Sequence, residues 1–179
     1  MGKTITLRKG FTIRLVGQAS YTLQALPVSD VIAIKPPDYP SVTPKLMVEV
    51  GDEVKAGQPL FFDRHRPNIK IPSPVSGEIA EIVRGAKRRI LEVRIIPDRS
   101  GVSYVPFVAA DPFTLSREAV VENLLESGCW SYIRQRPFSL IANPDDTPKA
   151  IFVSCFDTAP LAPDLGYLLD MNRDAFNTG

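Results

Sequence analysis

Apolar and polar side chains alternate in several short stretches of the first hundred residues, which predicts strands and not helices. Thr4 to Leu7 and Phe11 to Leu15 carry this pattern, and Gly10 and Gly17 break it. Val28 to Ile34 reads as a further apolar strand. Pro36, Pro37, Pro40 and Pro44 then force an extended connection, because proline fixes φ and disfavours helix at the preceding residue. Between Leu46 and Val83, two short alternating strands flank a Gly51-Asp52 turn. Gly57 precedes the apolar run Pro59 to Phe62. The stretch IPSPVSGEI, residues 71–79, reads as a proline-bracketed strand ending in a Ser-Gly turn. The last strand of this region is Leu91 to Ile96, closed by Pro97 and the DRSG that follows it.

The pattern changes after residue 115. Ser116 is suited to cap a helix, with Arg117 and Glu118 in its first turn. Val120, Val121, Leu124 and Leu125 keep helical spacing up to Gly128, a stop signal. Pro137 and Phe138 open a loop that runs to Pro148. Ala150 to Phe156, AIFVSCF, is a continuous apolar run of the kind found in strands buried on both faces. Leu168, Leu169 and Met171 begin another helix, continued or ended by 174–179. One buried strand leaves its ladder without a partner. The chain is therefore expected to be the N-terminal piece of a longer protein.

Composition narrows the chemistry. The 179 residues are 44% apolar, enough for a sizeable core. Lys plus Arg number 21 and Asp plus Glu 20, for a net charge of +1. That balance gives no reason to expect nucleic acid as a partner. The exception is local: Arg84 to Arg89, RGAKRR, reads as a solvated hairpin tip, or else as a site facing a phosphate, a neighbouring protein or lipid headgroups. Cys129 and Cys155 lack CxxC spacing and are too few to ligate a cluster or a structural zinc. They are expected as small apolar filler in a reduced, cytosolic interior. The N-terminus has no apolar signal region, and no run is long enough to span a membrane.

The order of strands and turns in LMVEVGDEVKAGQPLFFDRHRPNIKIPSPVSGEIAEIV resembles the lipoyl and biotinyl carrier fold. In that family a lysine at a hairpin tip, just before the PSPVSG-like segment, carries the swinging cofactor. Counting back from Pro72, Arg66 occupies that place. A guanidinium stays protonated and is a poor nucleophile, so it is no acylation substrate. The expected fold is mixed β and α/β. Residues 1–97 form a β-rich region containing the lipoyl/biotinyl-like barrel-sandwich at about 28–97. Residues 98–115 form a linker, and 116–179 the start of an α/β domain.

With KGFTIRLVG, ESGCWSYIRQRPFS and FVSCFDTAPLAPD included, nearly the whole chain resembles the A subunits of the Na+-translocating NADH:quinone reductases. The resemblance implies a holoenzyme that passes electrons from NADH through flavins and an iron–sulfur cluster to quinone and exports Na+. Those cofactors are expected in partner subunits and none in this chain. It also implies a peripheral subunit on the cytoplasmic face of the inner membrane, part of a hetero-oligomer, contributing to assembly and quinone handling. By itself it is expected to be inactive. Two alternatives remain. One is a component like the C subunits of the ferredoxin–NAD electron-transport complexes. The other is a degenerate lipoyl/biotinyl-type interaction module.

The residues themselves offer no catalytic constellation and no metal site. His65, the single histidine, falls at a hairpin tip without a carboxylate or cysteine in a known geometry. Asp52 and Glu53 read as turn chemistry. No GxGxxG or P-loop pattern occurs. Trp130, Tyr132 and Phe138 are candidates for a quinone pocket, since flat apolar ligands bind in aromatic clefts. The competing reading has them packed between the barrel and the second domain.

Overall fold

Seven antiparallel strands in the computed structural model form two sheets that share one core. The structure describes residues 6, 9–10, 13–107, 110–154, 157, 159–170 and 172–178. The strands are β1 (Ile32–Ile34), β2 (Pro44–Leu46), β3 (Glu53–Val54), β4 (Pro59–Asp63), β5 (Arg66–Pro72), β6 (Gly77–Arg84) and β7 (Ile90–Pro97). One sheet runs β1-β7-β6-β3 and the other β2-β4-β5. Helix α1 (Arg117–Glu126) follows, then the two-stranded ribbon β8 (Arg134–Gln135) and β9 (Leu140–Ile141). All of this lies in one unit, residues 27–147; residues 1–26 with 148–179 form another.

The alternation read in the sequence is the alternation that builds the core. On β7, Val93 and Ile95 are fully buried while Arg94 between them points to the outer face. There Arg94 binds Glu81 at 2.7 Å and Glu92 at 2.8 Å. Leu60, Phe61, Ile71 and Ile79 close the core from the other strands. A second cluster forms outside the barrel, where Ile69 of β5 meets Trp130 and Ile141, with Val121, Leu124 and Leu125 of α1 packed on it. Tyr39 and Val42 pack against both clusters.

Several expected elements are borne out. Ser116 caps α1, its Oγ accepting from Ala119 N at 3.2 Å. Gly128, at φ +77°, ends the helical segment. It approaches Pro72 so closely that a Cβ there would lie 2.4 Å from the ring. The Gly51-Asp52 turn forms, with Asp52 Oδ2 accepting from Glu49 N at 2.7 Å. Gly77 is required by packing, since a Cβ would stand 2.0 Å from the Ile96 carbonyl oxygen.

Other expectations need correction. Ser73 to Ser76 is a turn and not part of a strand. Pro72 and Pro74 have no N–H for a ladder, and Ser73 Oγ instead donates to the Val75 carbonyl at 2.6 Å. Pro36 to Asp38 is a 3-10 turn, not an extended connection. The strand expected over Val28 to Ile34 is limited to Ile32–Ile34. Ile13 to Leu15 is irregular and exposed, whereas Phe11, Thr12 and most of Thr4 to Leu7 lie outside the described residues. The loop after Pro137 contains β9 and pairs back on β8.

The apolar run from Ala150 is the largest departure. Residues 150–154 form no strand and are exposed, Phe152 at 92%, while Cys155 and Phe156 lie outside the described residues. A continuous apolar run becomes a buried strand only where a sheet edge receives it. Among the described residues no strand pairs with this one. In the same unit, α2 (Leu165–Asp170) and α3 (Arg173–Thr178) form the expected helical region, with Met171 outside the described residues. Tyr167 Oη donates to the Tyr21 carbonyl at 3.0 Å, and the two rings stack edge to face.

Candidate functional site

Arg66, the position expected for a carrier lysine, falls in the β4–β5 hairpin, which is turned by Arg64 and His65 and closed by the pair Asp63–Arg66. Its register skips three residues of β5 between Arg66 and Lys70, a bulge that re-aims the strand end. Arg66 does not extend into solvent. Its Nε donates to Asp63 Oδ2 at 2.9 Å, its Nη1 to the Ile141 carbonyl at 3.0 Å, and its Nη2 to Ser41 Oγ at 3.1 Å. All three guanidinium nitrogens are thus committed within the chain.

Asp63 is fully buried. Its Oδ1 accepts from Thr43 N at 3.0 Å and His65 N at 3.3 Å. Burial pushes its carboxyl up. The Thr43 N–H, the Arg66 guanidinium and the His65 N–H outweigh that and hold it below its ordinary value. Sequence reasoning singled out Arg66 but missed Asp63. The available signal was the DRHR pattern, opposite charges on either side of a two-residue turn. Ser41 and Ile141, distant in sequence, left no signal.

A lipoyl or biotinyl group does not fit here. Attachment needs a free amine on a mobile tip, and the hairpin presents a fixed guanidinium in an ion pair. His65 is exposed at the turn.

The aromatic candidates are divided by burial. Trp130 is 7% exposed and packs on Ile69 and Ile141, its Nε1 donating to the Ala142 carbonyl at 2.8 Å. Tyr132 and Phe138 are 80% and 79% exposed. Tyr132 lies near Tyr39, whose hydroxyl is pushed above its ordinary value by burial first, then by Tyr132 and Asp38, with Arg134 opposing. Phe138 follows a cis Arg136–Pro137 bond. A separate open groove of about 550 Å³ between β5 and α1 is lined by Lys70, Arg117, Glu122, Leu125 and Pro144 among others, and by none of the three aromatics.

Cys129 is exposed, against the expectation of buried filler. The left-handed Gly128 starts a 3-10 turn, Cys129–Tyr132, that turns Trp130 and Ser131 inward and Cys129 outward. Arg84, Lys87, Arg88 and Arg89 are all exposed, as the sequence predicts for a hairpin tip. Among the described residues there is no group of acidic, histidine or cysteine side chains able to hold a metal, and no helix long and apolar enough to cross a membrane.

Comparison with known proteins matches this architecture. The family model for the NqrA N-terminal barrel-sandwich hybrid domain covers residues 5–98, and that for the NqrA second alpha/beta domain covers residues 115–179. The chain belongs to the NqrA family. A protein of Psychromonas ingrahamii, named as the A subunit of Na(+)-translocating NADH-quinone reductase, is 36% identical over 176 residues, 98% of this chain and 40% of the relative. Proteins of the same name from Vibrio vulnificus and Yersinia pseudotuberculosis are each 37% identical, over 176 and 178 residues. The chain spans about two-fifths of the length of these curated relatives. The NqrA descriptions bear out the fold class, a barrel-sandwich followed by an α/β domain. They also favour the NADH:quinone reductase family over the ferredoxin–NAD complex alternative.

Proposed function

We propose that this chain serves as the N-terminal part of a peripheral subunit of a Na+-pumping NADH:quinone oxidoreductase, on the cytoplasmic face of the inner membrane. It contributes to assembly and quinone handling and carries no redox cofactor. The flavins and the iron–sulfur cluster belong to partner subunits. Residues 1–97 and 116–179 are read as its two family domains, joined by 98–115, in line with the matched ranges 5–98 and 115–179, while α1 and the β8–β9 ribbon share a compact unit with the barrel. The relatives' shared name supports the assignment to the complex.

The observation that carries the reading of a non-carrier is Arg66. A barrel that kept the carrier role would hold an amine at this hairpin. Here the position is a cation bound to Asp63, Ser41 and Ile141. The hard chemistry of electron transfer comes from cofactors that a protein orients, and the described residues offer no constellation for one. Quinone contact is assigned to the exposed side chains of Tyr132 and Phe138, while Trp130, packed on Ile69 and Ile141, has a supporting role.

The test is co-purification of the protein with its membrane partners, followed by a quinone-binding titration. The chain should elute with the complex, and alone should leave NADH unoxidised. A chain that runs by itself and oxidises NADH would overturn the assignment. A mass gain on coexpression with lipoate or biotin ligase would overturn the non-carrier reading alone.

A further inference from the structure

We propose that the tip of the β6–β7 hairpin is a docking surface for an anionic lipid headgroup layer. The tip places Arg84, Lys87, Arg88 and Arg89 within six residues, all exposed. None of the four takes part in an ion pair among the described residues. The sheet beneath is different. There Lys35 and Arg94 are each held by Glu92, and Arg94 also by Glu81. Uncompensated positive charge is therefore concentrated at the tip.

The backbone keeps it there. Lys87 and Arg88 both adopt the left-handed conformation, at φ +54° and +59°, which non-glycine residues rarely visit. Two such residues in succession, without a glycine, point to a conformation retained for what it displays. Gly85 N donates to the Arg89 carbonyl at 2.8 Å, and a Cβ at Gly85 would lie 3.0 Å from Leu91 Cδ1, so the tip is closed rather than loose.

The composition of the tip selects the occupant. Protein interfaces are anchored by buried aromatic or apolar residues and are depleted of lysine at their centres. Between Arg84 and Arg89 the only uncharged residues are Gly85 and Ala86, so the tip has no anchor to insert into a shaped partner. A headgroup layer is a diffuse negative surface that demands charge and no pocket, and clustered Lys and Arg bind it additively.

The test measures sedimentation of the 179-residue chain with phosphatidylcholine vesicles and with phosphatidylcholine–phosphatidylglycerol vesicles. Three proteins are compared: the natural chain, a variant with Arg84, Lys87, Arg88 and Arg89 all changed to Ala, and a control. The control carries Arg14→Ala, Lys55→Ala, Arg136→Ala and Lys149→Ala, which removes the same charge from scattered exposed sites. Each cation at an anionic surface is worth roughly fivefold in partitioning. The tip variant, which lacks four cations, should bind the anionic vesicles roughly several hundredfold more weakly. The control should change far less. Binding of the natural chain should disappear on neutral vesicles and fall steeply with salt. Equal losses in the two variants, or no binding of the natural chain to anionic vesicles at low salt, would overturn the proposal. Retention of the natural chain on polyglutamate beads that is lost in the tip variant, with unchanged vesicle binding, would also overturn it, in favour of an acidic protein. An unchanged thermal midpoint separates a docking defect from misfolding.

Discussion

Replacing Asp63 with Asn tests whether the hairpin is held by its ion pair. The substitution keeps the side-chain shape, and the remaining amide oxygen still accepts from Thr43 N and His65 N. What changes is Oδ2, which becomes an amide facing the Arg66 Nε–H that now donates to it at 2.9 Å. One charge-assisted hydrogen bond is lost, about 1.5–3 kcal/mol. Arg66 also loses its counter-charge, a loss that in a fully buried pair costs about 3–5 kcal/mol. The Arg66 side chain retains 24% of its accessibility, so water offsets part of this. The expected destabilisation is about 2–3 kcal/mol. Urea unfolding followed by fluorescence of Trp130, the single tryptophan, reads it directly. The double variant with Arg66→Met should show a coupling of about 1–2 kcal/mol. The sign with pH follows from the lowered carboxyl. The folded state releases this proton more readily than the unfolded state, so the contribution is fully present above the ordinary value of 3.8. It is lost as pH falls through the lower folded value. A loss under 0.5 kcal/mol (about one-fifth of that expected), or additive single effects, would refute the ion-pair reading.

Gly128→Ala should lower the thermal midpoint by roughly 5–10 °C, because it combines the left-handed backbone cost with a contact 2.4 Å from the Pro72 ring; an unchanged midpoint would mean that the helix end does not meet β5 this way. Trp130→Phe removes the donor to the Ala142 carbonyl and part of the second cluster, at a cost of about 1–3 kcal/mol. Circular dichroism should detect it, and hydrogen exchange of the Ala142 N–H, which donates to the Ile133 carbonyl, should speed up; unaltered exchange would count against the packing described.

The barrel was legible because its strands carry their own pattern. Val93 and Ile95 alternate with Arg94, and the turns at Gly51 and Gly57 sit where glycine or aspartate is needed. Ser116 and Gly128 marked their helix by local rules of capping. The failures have two physical causes: a partner distant in sequence, or a local turn that the residue types do not announce. Ala150 to Val153 has the composition of a buried strand, yet its state depends on whether a sheet edge receives it. Cys129 looked like core filler, but its direction is set by the turn after Gly128. Arg66 could be placed by counting from Pro72, and Asp63 lay within reach of the DRHR pattern; the other two acceptors, Ser41 and Ile141, reach Arg66 only through the fold. The exposure of Tyr132 and Phe138 beside a buried Trp130 was equally out of reach, because all three sit in one segment with no periodic pattern to sort them.

The two carbonyls that Arg66 and Trp130 hold belong to consecutive residues, Ile141 and Ala142. Successive carbonyls of extended backbone face opposite sides, so the two donors grip this stretch from two directions. The β8–β9 ribbon has only two residues in each strand, too short to fix its own alignment. Sliding by one position would turn both acceptors away from their donors at once. The grip therefore works as a registration key. It sets where the loop from Tyr132 to Leu140 stands on the surface, and whatever meets the Tyr132 and Phe138 rings meets them at a position dictated from the barrel side.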